Sequence, residues 1–215
     1  MARNIGYKEQ AITSGLIHHE TKIADNSAYL EFGGWGRITS VGADNPNAGS
    51  VEYVEFHFYN IHPRTDDTKF QMGFSTNAYP DQAWQSNHHT KTSIVMYHAQ
   101  GTNGSISFNF DPTELQANST AMGVLLSKEM GNATEELAAG QLRLYRPNSH
   151  NPYKHYESIG TCVSYQQSAM SYWVNGYTSD NGKISLIRFQ MASGNFDGKI
   201  ACYVQRGPGG LAGNP

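Results

Sequence analysis

The chain has 215 residues, of which 15% are charged and 12% are aromatic, with 22 glycines and a formal net charge of −3. Soluble globular proteins average about 25% charged residues, so the Lys and Glu that coat solvent-facing helices are scarce, which argues against an all-helical protein. No Lys/Arg run is present that would neutralise a row of phosphates, and no stretch reaches the roughly 20 apolar residues of a membrane span. We therefore expect no nucleic-acid and no membrane partner.

The N-terminal residues 1–26 lack a regular hydrophobic period, and the first ten residues lack the apolar core of a signal peptide. They predict a polar arm that orders against neighbouring subunits, on a protein made in the cytoplasm. Short strands are then predicted at Ala28–Phe32 and Arg37–Val41 because glycine and asparagine clusters separate these apolar segments.

The clearest strand of the first half is Val51–Tyr59, where Val54, Phe56 and Phe58 alternate with polar or mixed residues. The polar segment Asn77–Thr90 is interpreted as a loop. The same alternation predicts further strands at Lys69–Ser75, Thr92–Tyr97 and Ser105–Phe110.

In the second half, Ser127–Ala139 is predicted to be a loop with at most one or two helical turns, and Gln166–Gly182 a second polar loop. Strands are expected at Gln141–Tyr145 and Glu157–Tyr165. A final hairpin is predicted with the arms Ile184–Met191 and Lys199–Val204 and a turn at Ser193–Gly198.

Strands at short intervals without βαβ alternation predict an all-β fold, an antiparallel β-sandwich of the jelly-roll kind. It would span residues 27–206 and carry the N-terminal arm. The remaining residues 207–215 are rich in Gly and Pro and predict a flexible tail.

Metal and cysteine chemistry finds little support in the sequence. The pairs His18-His19 and His88-His89 lack the spacing of a zinc-binding helix and are interpreted as surface loop residues. Cys162 and Cys202 lie in apolar, strand-like segments and predict two reduced core residues. We expect no metal and no cofactor.

Catalytic motifs are also lacking, since the sequence contains no Gly-x-Ser-x-Gly elbow. Paired carboxylates for glycoside hydrolysis are defined by distance in space, so the sequence leaves their pairing open. No motif selects a pair, and we expect no enzyme. The available carboxylates are Glu31, Glu52, Glu55, Asp111 and Glu157.

Aromatic residues crowd the two predicted polar loops. Rings in such positions can stack on the C–H faces of sugars while Asn, Gln and His supply hydrogen bonds. The alternative is that these rings cap the sandwich or lie at a subunit contact, where Tyr and Trp are also enriched. The candidate ligand-binding residues are Tyr79, Trp84 and His88 in loop 77–90, and Tyr172, Trp173 and Tyr177 in loop 166–182.

Four segments in order resemble a family of β-sandwich virion proteins of tailed bacteriophages. Its members share a "P-x-T-D" connection, an "M-x-F/L-S-T" strand, a "G-x-L-x-L-Y-x-P" strand and a C-terminal "S-G-N-I/F" turn followed by Gly. This chain departs from the pattern at Cys202 and Val204, where the family usually has Leu and Gly. The matching segments are Tyr53–Asp66, Phe70–Thr76, Gly140–Asn148 and Ile184–Tyr203.

The resemblance implies a structural virion component that assembles with other capsid or tail subunits, with the arm as its attachment. Self-association is expected because such particles are symmetric. Two uses stay open: a capsid decoration or head-fibre protein, and a tail-fibre or receptor-binding module for host surface glycan. A polysaccharide-degrading enzyme is the weakest alternative.

Overall fold

The computed structural model describes residues 16–35, 51–76, 89–99, 107–109, 116–119, 123–124, 129–149, 153–179 and 182–206. The described residues form two antiparallel sheets that pack face to face, so the fold is an all-β sandwich. The jelly-roll order of connections stays a prediction. The strands are β1 (Ile17–Ser27), β2 (Tyr29–Gly33), β3 (Val51–Pro63), β4 (Phe70–Ser75), β5 (His89–Ala99), β6 (Ser107–Asn109), β7 (Gln116–Ser119), β8 (Gly123–Val124), β9 (Ala138–Tyr145), β10 (Lys154–Val163), β11 (Ser168–Thr178), β12 (Leu186–Met191) and β13 (Phe196–Arg206).

The larger sheet has the strand order β1-β13-β3-β9-β10-β11-β5-β6, and β7 also pairs with β5. The smaller sheet has the order β2-β12-β4-β8. Strands β10 and β11 of the larger sheet turn alternate side chains toward the interior of the sandwich and the others toward solvent. The solvent-facing side is called the outer face below.

Aromatic side chains fill the space between the sheets, as the alternation in the sequence predicts. Phe56 and Phe58 on β3 meet Phe189 on β12 with ring centroids 5.0 and 5.2 Å apart. Phe70 and Phe32, on the strands flanking β12, pack at 5.9 Å from the same ring. The burial of these rings joins the two sheets into one core.

The predicted C-terminal hairpin is wrong in its pairing. β12 pairs with β2 and β4 in the smaller sheet, whereas β13 pairs with β1 and β3 in the larger sheet. The turn between them therefore crosses from one sheet to the other. Both strands are half apolar, and each buries its apolar side chains in the shared core from opposite directions, which the sequence pattern of a hairpin does not distinguish.

Glycines make the crossing at this turn. Gly194 has φ of 72° and Gly198 has φ of 134°, values that L side chains rarely adopt. A Cβ on Gly198 would also lie 2.8 Å from the carbonyl oxygen of Asn60. Asp197 anchors the turn, because it accepts hydrogen bonds from the Asn26 amide at 2.7 Å and from Arg64 Nη2 at 2.9 Å.

The boundary of the predicted N-terminal arm also changes. Residues Ile17–Ser27 form β1, which pairs along β13 at one edge of the larger sheet, so most of 17–26 belongs to the sandwich. Ala24 is buried against the core, and Lys22 reaches the carbonyl oxygen of Glu31. The sequence did not reveal this strand because edge strands bury few of their side chains.

Other expectations meet mixed outcomes. The described residues contain no helix. No helix long and apolar enough to cross a membrane is therefore found among them. Within Ser127–Ala139, Met130 bridges Thr68 and Ser164, and β9 already begins at Ala138. Both cysteines are buried and neither forms a disulfide, as predicted. The expected strand Arg37–Val41 and the tail 207–215 lie outside the described residues.

Three of the four paired histidines lie on strands rather than in loops. His18 and His19 lie on β1, where His19 Nε2 is 3.0 Å from the carbonyl oxygen of Gly33. His89 is buried on β5, and His88 lies outside the described residues. Within the described part of the chain, no group of three or more His, Cys, Asp or Glu side chains is placed to hold a metal ion.

Candidate functional site on the outer face

The segment Gln166–Gly182, predicted to be a polar loop, is mostly the strand β11. Its side chains alternate strictly, so Tyr172 faces the core and is 1% exposed, whereas Trp173 and Tyr177 lie on the outer face. The structure thus removes Tyr172 from the candidate surface and keeps the other two. Asn-Gly pairs are common in turns, but here Asn175-Gly176 lies within the pairing with β10 and β5.

The other candidate ligand-binding residues, Tyr79, Trp84 and His88, lie outside the described residues. The site is therefore built from β9, β10, β11 and β5, four neighbouring strands of the larger sheet.

A cleft of about 390 Å³ opens on the outer face at one end of these four strands. His155, Tyr177 and Thr90 face one another across β10, β11 and β5, and Tyr145 at the end of β9 completes this row. The next row along the strands holds Glu157, Asn175 and Thr92. The backbone of Gly176 lies in the floor of the cleft.

Aromatic stacking orients the rings at the rim. Tyr177 stacks on Tyr153 with ring centroids 5.4 Å apart and an interplanar angle of 2°. The His155 ring centroid lies 6.0 Å from that of Tyr177. Because each ring is held by a neighbour, little side-chain freedom remains to be lost when a ligand binds.

Glu157 and Tyr145 form the polar wall of the cleft. The Tyr145 hydroxyl donates to Glu157 Oε1 at 2.6 Å, and Arg143 Nη1 donates to the same oxygen at 3.3 Å. Burial raises the pKa of Tyr145, and its hydrogen bond to Glu157 raises it further. Tyr145 therefore stays a neutral donor, and the carboxylate of Glu157 keeps acceptor capacity for an incoming hydroxyl.

Arg143 connects this wall to a second carboxylate. Its Nε and Nη2 both donate to Glu55 Oε2, at 2.8 and 2.6 Å, and its guanidinium lies 4.7 Å above the ring centroid of Tyr53. His57 Nε2 lies 2.7 Å from the other oxygen of Glu55. Burial by itself would raise the pKa of Glu55, but the hydrogen bonds from His57 and Arg143 outweigh it and hold the pKa below its usual value.

Two of the five carboxylates named from the sequence are thus brought to one guanidinium, Glu55 and Glu157. Glu31 instead pairs with Arg188 on the outer side of the smaller sheet, with Arg188 Nε 2.9 Å from Glu31 Oε1. Glu52 lies at the start of β3, and Asp111 lies outside the described residues. Arg143 holds Glu55 and Glu157 as ion-pair partners.

Sequence reasoning missed most of the cleft. Tyr145, His155, Asn175 and Thr92 were not singled out, although alternation along β9, β10, β11 and β5 places them all on the solvent side. The alternation of inward and outward side chains along each strand was the available signal for these residues. It identifies the cleft only together with the strand order, which shows which outward residues are neighbours.

A scan against protein-family models, a search of curated proteins and a search of solved structures each return no match to this chain.

Proposed function

We propose that the chain is a carbohydrate-binding β-sandwich of a tailed-phage virion, a receptor-binding module that contacts host surface glycan through the outer-face cleft. The observation that carries the proposal is the row of Tyr145, His155 and Tyr177 beside Glu157 and Asn175. The aromatic rings offer apolar faces to sugar C–H groups, and the carboxylate and amide offer hydrogen bonds to hydroxyls. The virion assignment is supported by the sequence resemblance.

The charges around the cleft favour an uncharged glycan. Glu157 and Lys91 line the cleft, and Glu157 and Glu55 share the guanidinium of Arg143, so these four groups carry a formal net charge of zero. The chain as a whole is negative, at −3. An anionic sugar would meet like charge at the wall of the cleft, whereas a neutral hydroxyl finds an acceptor in Glu157.

A microarray of bacterial capsular and O-antigen polysaccharides tests the binding function. We expect the fluorescently labelled protein to bind at least one uncharged polysaccharide, and Tyr177→Ala to weaken that binding about tenfold through the loss of one stacking ring. The control is Tyr29→Ala, which removes an exposed ring from the outer side of the smaller sheet and should leave binding unchanged. Absence of binding to every array member, or equal loss in both variants, would contradict the proposal.

The described strands nearest the two termini, β1 and β13, favour attachment at the opposite edge of the same sheet. Ile17 pairs with Val204, so the polypeptide enters β1 and leaves β13 side by side at that edge, three strands away from β10. Attachment through residues 1–15 would leave the outer face free. Deleting residues 1–15 should preserve the melting temperature and remove immunogold label from tailed-phage particles; label that persists would place the attachment elsewhere.

A further inference from the structure

A second cleft lies on the outer face at the other end of the same strands. It has a volume of about 490 Å³, and Met96, Ala139, Thr161, Ser171 and Ala169 line it from β5, β9, β10 and β11. The lining also includes larger and polar residues, namely Asn60, Tyr97, His98, Leu137 and Val163. It shares its three long strands, β5, β10 and β11, with the first cleft.

An exposed apolar ridge separates the two clefts. Ile159, Trp173 and Ile94 form one cross-strand row, next to the row of Glu157 on one side and the row of Thr161 on the other. Ile159 is 48% exposed and Trp173 is 43% exposed. A large ring that is exposed in the middle of a sheet face can pack against an apolar surface, such as the face of a sugar ring.

Resting on the proposed glycan binding, we infer that the ligand is a linear, uncharged polysaccharide, held along the strands by an internal segment that crosses Trp173 from one cleft to the other. From Tyr177 to Ala169 the face extends eight residues of β11. At about 3.3 Å per residue this is about 26 Å, a distance that a disaccharide does not span. Both clefts are open grooves on one continuous face, so the chain ends of the polymer need not be recognised.

The two clefts contribute differently to recognition of the polysaccharide. The first cleft holds the carboxylate, amide and hydroxyl groups that orient a sugar unit. The residues that line the second cleft include no carboxylate, and they offer apolar contacts and hydroxyl groups to a further sugar unit. Affinity should therefore increase with ligand length, while the choice of sugar is made mainly at the first cleft.

The test uses fragments obtained by partial acid hydrolysis of the array polysaccharide that the protein binds most tightly, from single sugars to long oligomers, measured by isothermal titration calorimetry. Wild-type affinity should rise with length and level off once a fragment spans both clefts. Thr161→Arg fills the second cleft from an exposed strand position, and Thr21→Arg makes the same change on β1 away from both clefts.

We expect Thr161→Arg to lower the affinity for long fragments about tenfold and to leave the affinity for short fragments unchanged. Thr21→Arg should bind fragments of every length as the wild type does. Trp173→Ala should likewise weaken the binding of long fragments more than that of short ones. Short fragments that bind as tightly as the polymer would refute the extended path and leave the proposed function standing. If Thr161→Arg leaves binding of the polymer unchanged, the extended path is refuted as well. Absence of any glycan binding would refute both the extended path and the proposed function.

Discussion

Replacing Phe189 with Ala tests the packing that holds the two sheets together. Phe189 is fully buried on β12 of the smaller sheet, and its ring lies 5.0 Å from Phe56 and 5.2 Å from Phe58 of the larger sheet. Two further rings, Phe32 and Phe70, lie at 5.9 Å. The substitution opens a cavity at the point where both sheets contribute side chains.

The expected cost follows from these contacts. Phe-to-Ala changes in protein cores cost about 3–5 kcal/mol, and a ring with four aromatic neighbours belongs in the upper part, at about 4–5 kcal/mol. Phe189→Leu keeps most of the volume and loses the edge-to-face ring contacts, so it should cost about 1–2 kcal/mol. A domain stabilised by about 5–15 kcal/mol would survive the second change easily and the first only narrowly.

Urea denaturation followed by circular dichroism measures both changes in the free energy of unfolding. We expect the midpoint to fall in the order wild type, Phe189→Leu, Phe189→Ala, with an unchanged slope. A loss below about 1 kcal/mol for Phe189→Ala would show that the ring is not enclosed between two packed sheets and would refute the packing described here.

Three further substitutions probe particular contacts. Gly198→Ala should cost about 1–3 kcal/mol in urea denaturation, because φ of 134° is strained for alanine; an unchanged midpoint would contradict the conformation of the turn. Gly176→Ala should cost about 1–3 kcal/mol, since its Cβ would lie 2.5 Å from Tyr156 Cζ and 2.6 Å from the Thr90 carbonyl oxygen. Adding Tyr156→Phe should not restore the stability, because the clash with the Thr90 backbone remains. The pKa of Glu55 is lowered in the folded state, so its stabilising effect is complete above the usual value of 4.5 and is lost as the pH falls through the lowered value. The difference in unfolding free energy between wild type and Glu55→Gln should therefore shrink as the pH falls below 4.5, and a difference independent of pH would contradict the ion pairs with His57 and Arg143.

Local alternation made much of the fold predictable. Val54, Phe56 and Phe58 on β3, and Phe70, Met72 and Phe74 on β4, are buried as the period of two predicts. This works because a strand with one face in the core repeats its burial every second residue, whatever its partner is.

Pairing was not predictable in the same way. The segments of β12 and β13 are close in sequence and both half apolar, which suggested a hairpin, yet they lie in different sheets. The sequence pattern states which side chains are buried but not from which side of the core. The turn glycines Gly194 and Gly198 permit the crossing without indicating it.

The loop predicted to carry part of the candidate site is wrong. Trp173 is exposed and Tyr177 is half-buried on one face of a strand, whereas Tyr172 is buried in the core. An exposed sheet face is polar enough to resemble a loop. Glu157 and Tyr145 join the site only through the register of β9 with β10 and of β10 with β11.

The most direct test of glycan binding at the outer face is an amide NMR titration of the 15N-labelled protein with an oligosaccharide from the polysaccharide it binds. We expect shift changes at Thr92, Asn175 and Tyr177, which line the first cleft. Shift changes confined to Glu31 and Arg188 on the outer side of the smaller sheet, or no changes at saturating oligosaccharide, would contradict the account.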